Sequence, residues 1–213
     1  MARPSKNILS PSIIAEAALR MVEREHDFTI PGLAGELGVN PSSLYHHVKG
    51  GRGEIINLMR EALYGRIDLT EATAGDLPWQ DRMRSWIRSY RSSMAALPAA
   101  MPLLAGSPVD DLPTLRIYEV AFAILDEIGI PTETQVDVVS MLDAIVLGSA
   151  LDRGAPVPVW QPGDYDVPLL RRAATTGDDD ERTDRGLELA ITGAVSTIEA
   201  LAGRTAVETA VGG

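Results

Sequence analysis

The residues best suited to chemistry in this chain are crowded into one stretch, Pro41-Ser42-Ser43-Leu44-Tyr45-His46-His47-Val48-Lys49. At helical spacing, Leu44 and Val48 face one way, and Pro41, Ser42, Ser43, Tyr45, His46 and His47 face the other. Serine and tyrosine hydroxyls are common phosphate ligands, and a helix N-terminus points unsatisfied backbone N–H groups at an anion. Lys49 and Arg52 follow as cations at the helix exit, and Arg3 and Lys6 stand ahead of the first helix as a basic arm. Taken alone, this surface reads either as a nucleic-acid face or as an ordinary solvated helix. The two histidines point roughly 100° apart when adjacent on a helix. No third ligand stands near them in sequence, so no metal site is expected.

Catalysis finds little elsewhere. All three histidines, His26, His46 and His47, lie in the first 50 residues, which leaves the longer part of the chain without its commonest general base. No Ser-His-Asp arrangement, phosphate-cradling glycine loop or HExxH motif is found. The acidic run Asp178–Glu181 reads as a solvated loop or a helix start. No catalytic residue and no cofactor is expected, and an all-α enzyme stays as the alternative from another class.

Helices must position the Ser42–Lys49 surface. Ser10 and Pro11 start a first helix with Ile13, Ala17, Met21 and Val22 on one stripe. Thr29 caps a second, Gly38 stops it, and Asn40–Pro41 opens the third. Gly50, Gly51 and Gly53 interrupt the chain before a helical run from Glu54, apolar at Ile55, Leu58, Met59, Ala62 and Leu63. A longer helix from Trp79 places Met83, Trp86, Ile87, Tyr90 and Met94 on one face, until Pro98 and Pro102 break it. Helices over 112–128 and 132–151 follow, then a Pro-, Gly- and Asp-rich loop at 153–180, a closing helix over 184–201 and a frayed tail at 204–213. The expected class is all-α, with a helix-turn-helix three-helix domain at 1–66 and a larger helical domain at 67–213.

Composition is that of a folded globular chain, 45% hydrophobic and 23% charged. The absence of cysteine removes disulfides and thiolate chemistry and fits a reducing compartment. No uninterrupted apolar run reaches the roughly 20 residues of a membrane span, so no membrane partner is expected and the location is read as cytoplasmic. A net charge of −11 argues against a nucleic-acid partner, but the charge is segregated. Residues 1–66 carry a balance of +1 and the remainder −12.

The run LGVNPSSLYHHVK, followed by a further helix, resembles the DNA-binding domain of the TetR (tetracycline repressor) family of bacterial transcriptional regulators. The stretch from Trp79 to Asp152, with its PLLAGSP, EIGIP and VLGSALD segments, is similar to the effector domain of that family's tetracycline-repressor branch. The resemblance implies a homodimer that binds a palindromic double-stranded DNA operator, acts as a repressor and is released by a small-molecule effector. A ligand-independent DNA binder of the same fold is the alternative. By the same resemblance Tyr45 and His47 grip phosphates and Lys49 adds a third contact. Pro41, Ser42, Ser43 and His46 meet base edges, and Thr29 belongs to the same DNA-facing set. Pro31 replaces a base-reading arginine of the tetracycline repressor, so its operator is not carried over.

The body is expected to dimerise through small residues on its last two long helices: Ala144, Gly148, Ala150, Ala190, Gly193 and Ala194. The effector pocket is expected among Met83, Trp86, Ile87, Tyr90, Met94, Leu104, Leu115, Tyr118, Phe122 and Met141, with Trp160 as a lid. Each of these side chains reads equally as ordinary core. Lacking any histidine, this body is expected to take a metal-independent, apolar or aromatic ligand.

Overall fold

The structure, a computed structural model, describes residues 9–212 apart from 156 and 177. The proposed arm of Arg3 and Lys6 lies outside the described residues. Among those described the chain is all helical: α1 (Pro11–Glu25), α2 (Ile30–Glu36), α3 (Pro41–His47), α4 (Gly51–Tyr64), α5 (Trp79–Ala95), α6 (Met101–Ala105), α7 (Leu112–Glu127), α8 (Thr132–Arg153), α9 (Pro168–Ala174) and α10 (Asp179–Gly212).

Caps set the first three starts. The side chains of Ser10, Thr29 and Asn40 accept from the N–H groups of Ile13, Gly32 and Ser42, and each is followed within two residues by a proline. The sharp corner after α2 needs Gly38, whose φ of +66° is in the left-handed region that side chains with a Cβ avoid. Three boundaries differ from the sequence reading. The glycines before α4 fall inside its first turn, because the Glu54 carboxylate reaches back to the Gly50 N–H at 2.7 Å and caps it. Pro102 lies in the first turn of α6, where a missing N–H is harmless, so it starts a helix there. The tail expected to fray continues as α10 to Gly212, and the loop at 153–180 contains α9.

The chain forms two compact units. The first runs up to Arg66 and takes in Ala99–Arg116 as well; the second is Ile67–Pro98 with everything from Ile117 onward. In the first unit α1 packs on α4, and α2 and α3 close over a core of Ile14, Met21, Val22, Phe28, Leu33, Leu44, Val48, Ile55 and Met59. The later segment joins through Arg60, only 1% exposed. Its guanidinium donates to the carbonyls of Pro108 (2.7 Å), Leu104 (3.1 Å) and Ser107 (3.1 Å) and to Asn57 Oδ1 (3.2 Å), and approaches Asp111 Oδ2 (3.4 Å). Asp111 also accepts the Thr114 N–H at 2.9 Å, which caps the start of α7.

In the second unit α5, α8 and α10 pack together. Salt bridges strap α5 to its neighbours: Arg88 to Glu188 with two hydrogen bonds (2.6 and 2.8 Å) and Arg91 to Asp184 (2.7 Å). The expectation about membrane-spanning segments is corrected at α8. This 22-residue helix is long and apolar enough to span, with a mean hydropathy of 1.4 in its best window. Asp137, Ser140 and Asp143 interrupt the apolar run while leaving its average high. Its apolar side chains are divided between an inner face (Val138, Val139, Leu142, Val146) and an outer one (Val136, Leu151).

Replacing Arg60 by methionine removes the donor that satisfies three carbonyls and a buried carboxylate. Unfolding by urea should show the fold destabilised by about 2–4 kcal/mol. A loss below about half a kcal/mol would show that the segment at 99–116 is held by other contacts.

Candidate functional site

The helix-turn-helix presents one exposed face. Leu44 and Val48 are fully buried, which turns Pro41, Ser42, Ser43, Tyr45, His46, His47 and Lys49 outward, with Tyr45 half exposed. Thr29 is exposed at the start of α2 while its hydroxyl caps Gly32.

Two expectations about this face change. The N–H groups at the start of α3 are not free for an anion. Pro41 has none, Ser42 bonds to Asn40 Oδ1 at 3.1 Å, and Ser43 and Leu44 bond to the Asn40 carbonyl. The Ser42 hydroxyl also donates to Asn40 Oδ1 (3.1 Å), so Ser43 offers the readier hydroxyl. Arg52 turns inward: it donates to the Phe28 carbonyl and to Asp27 (2.5 Å), and lies 4.4 Å over the Phe28 ring. The guanidinium beside Asp27 holds that carboxyl below its ordinary range. Lys49 is left as the cation at the exit of α3.

The second constellation is the aromatic core of the larger unit. Met83, Trp86, Ile87, Tyr90 and Met94 of α5 are almost fully buried on one stripe. Trp86 donates to the Ile117 carbonyl at 2.8 Å and meets Tyr90 edge-to-face at 5.4 Å between ring centres. Tyr90 meets Tyr118 in the same way at 6.4 Å, with their hydroxyls 3.3 Å apart. The Tyr118 hydroxyl donates to Asp143 at 2.9 Å. Tyr118, Phe122, Met141 and Asp143 are half-buried.

Three expected pocket residues have other settings. Leu104 belongs to the first unit, where its carbonyl holds Arg60. Leu115 is exposed, because α7 turns Ile117, Ala121 and Ile124 inward instead. Trp160 stands under the Arg182 guanidinium, 5.1 Å from the ring centre. There it lines a cleft of about 300 Å³ with Ile145, Gly148, Thr183 and Leu187, between α8 and α10.

Residues 72–197 match the family described as Tetracyclin repressor-like, C-terminal domain. The chain belongs to the TetR family.

Solved structures agree at the level of fold. A possible TetR family transcriptional regulator from Streptomyces coelicolor is 19% identical, with a TM-score of 0.71, over 88% of this chain and all of that one. A TetR variant from Acinetobacter baumannii in complex with minocycline is 18% identical, with a TM-score of 0.69, over 92% of this chain and 99% of the other. The Streptomyces coelicolor TetR family protein ActR in complex with actinorhodin is 22% identical, with a TM-score of 0.66, over 90% and 99%. No curated protein matches.

Two residues of this TetR-family chain escape a sequence reading. Arg60 is a polar residue on what periodicity makes a partly apolar face, and Asp143 interrupts an apolar helix; neither stands in a motif. Burial pushes the Asp143 carboxyl above its ordinary value, outweighing the hydrogen bonds from Tyr118 and Tyr90. A raised native pKa means that the folded state binds the proton more tightly than the unfolded one. The stabilisation is complete below the unfolded value and is lost as pH rises through the folded value. Asp143→Asn keeps the shape without the charge, so its melting temperature at pH 7 should equal or exceed that of the parent. Its stability should also depend less on pH from the ordinary aspartate range upward. A clearly lower melting temperature at pH 7 would mean that the ionised carboxylate holds the fold.

Proposed function

We propose that this TetR-family transcriptional regulator is a cytoplasmic homodimeric repressor, binding a palindromic operator and released by a small aromatic effector. It is proposed to act without catalysis, metal or cofactor. The observation that carries this reading is the outward face of α3, with Ser43, Tyr45, His46, His47 and Lys49 set on the buried pair Leu44 and Val48. A helix held this way enters a major groove, where polar side chains meet base edges and phosphates. Tyr45, His47 and Lys49 are assigned to phosphates. Pro41, Ser43 and His46 are assigned to bases, while Ser42 and Thr29 support the face through their caps.

Assembly as a pair is supported by the outer sides of α8 and α10. Val136, Ala144, Gly148 and Leu151 are exposed on the first, and Gly186, Leu189 and Gly193 on the second, with Leu189 76% exposed. Ala150 and Ala194 pack inward instead. A Cβ added at Gly148, Gly186 or Gly193 meets no atom within 4 Å. The protomer itself therefore does not require small residues there, whereas a symmetric helix–helix seam does. Minocycline and actinorhodin, held by two structural neighbours, support an aromatic polycyclic effector for the Trp86–Tyr90–Tyr118 core. Release requires that this effector bind the DNA-incompetent state more tightly.

Selection from randomised duplexes should enrich a palindrome. Lys49→Ala should weaken all sequences alike and reduce the salt slope by about one unit, whereas His46→Ala should change sequence preference. A folded protein that enriches no palindrome would overturn the regulator reading.

Gly193→Arg should leave the protomer folded but force an unpaired guanidinium into the seam. It should cost association about 3 kcal/mol or more, seen by light scattering as a shift from dimer to monomer. A variant that stays dimeric would place the interface elsewhere.

A further inference from the structure

Asp143 is an acid set among aromatic rings without a cation to neutralise it. It lies on α8, Tyr118 on α7 and Tyr90 on α5, so three helices converge on one carboxylate. Among the described residues no lysine, arginine or histidine forms an ion pair with it. Of the arginines of α5, Arg82 pairs with Glu127, Arg88 with Glu188 and Arg91 with Asp184, while Arg84 has a buried nitrogen without a hydrogen-bond partner and forms no ion pair with Asp143. Such a group costs stability when ionised, and burial accordingly resists its ionisation. The fold has no structural need of it that an amide could not meet. Yet the carboxylate is half-buried rather than sealed, as are Tyr118 and Met141.

The surroundings specify what such a ligand should carry. Aromatic ring faces attract cations, a carboxylate attracts them more strongly, and partial burial strengthens both. We propose that Asp143, with the ring and hydroxyl of Tyr118 beside it, receives the cationic nitrogen of an aromatic amine effector. This rests on the effector reading above and narrows its ligand class. The positive nitrogen of the ligand lies against Asp143, where it supplies the missing counter-charge, and its flat part against the half-buried Tyr118. An anionic aromatic of the same shape is repelled by the same group.

Three dyes separate the terms: a cationic rhodamine ethyl ester, anionic fluorescein with the same xanthene skeleton, and neutral Nile red. Binding to the full chain is followed by dye anisotropy and tryptophan quenching. The rhodamine should bind the parent, and Asp143→Asn should weaken it about tenfold. That variant should leave Nile red unchanged. Asp81→Asn, which removes an exposed carboxylate of α5, should leave the rhodamine unaffected and so controls for net charge. Tyr118→Phe, which keeps the ring and loses the hydroxyl, should give a smaller loss. Thermal melts establish that each variant is folded. Undiminished rhodamine binding by Asp143→Asn, an equal loss in Asp81→Asn, or tighter fluorescein than rhodamine binding would overturn the proposal. If Nile red binds and the rhodamine does not, the carboxylate has no such role and the effector reading stands; if no dye binds, both fall.

Discussion

A buried guanidinium must find acceptors, and that constraint organises the smaller unit. Arg60 comes from α4, whose other inward residues are apolar, and α4 has only Asn57 to offer it. The missing acceptors come from 44 to 51 residues further along the chain, as the carbonyls of Leu104, Ser107 and Pro108 and the carboxylate of Asp111. The Ser107 and Pro108 carbonyls lie just past the end of the short α6, and the Leu104 carbonyl accepts from Arg60 in addition to the backbone N–H groups of the closing turn. The guanidinium and these acceptors satisfy each other. This is why the unit that carries the helix-turn-helix is discontinuous.

Charge is divided in the same economical way. The acidic excess lies after residue 66, and two of its carboxylates, Asp184 and Glu188, form ion pairs between α10 and α5. The DNA-facing unit, near neutral overall, commits Arg20 and Arg24 to Glu36 and Arg52 to Asp27. These pairs are exposed and contribute little stability. Their effect is to leave Lys49 as the unpaired cation at the exit of α3 among the described residues.

In the larger unit Arg82 of α5 is buried and bonds to the Ala72 carbonyl and to Glu127, while the inward stripe of the helix is apolar through Met83, Trp86 and Ile87 until it reaches Tyr90. From there a polar thread runs through Tyr118 to Asp143, half-buried and without a cation. A purely apolar core would be more stable. A carboxylate with two tyrosines gives that core a direction and a sign of charge that apolar side chains cannot.

Local chemistry was enough to read the helices and the outward face of α3. Ser10, Thr29 and Asn40 are caps by side-chain type, Gly38 is a left-handed corner by the lack of a Cβ, and Leu44 and Val48 point inward by helical period. Those features act over a few residues, so the order of residues alone determined them. The family resemblance of the Ser42–Lys49 stretch belongs to the same level. Tertiary structure decided everything that depends on pairing across distance. It turned Arg52 away from the DNA-facing surface and joined 99–116 to the first unit. It also turned Leu115 to the surface, set Trp160 beside Arg182 and gave Asp143 its tyrosines. A guanidinium or carboxylate in a sequence has no address until the fold supplies its partners, because electrostatic and hydrogen-bonding energies depend on separations in space and on burial.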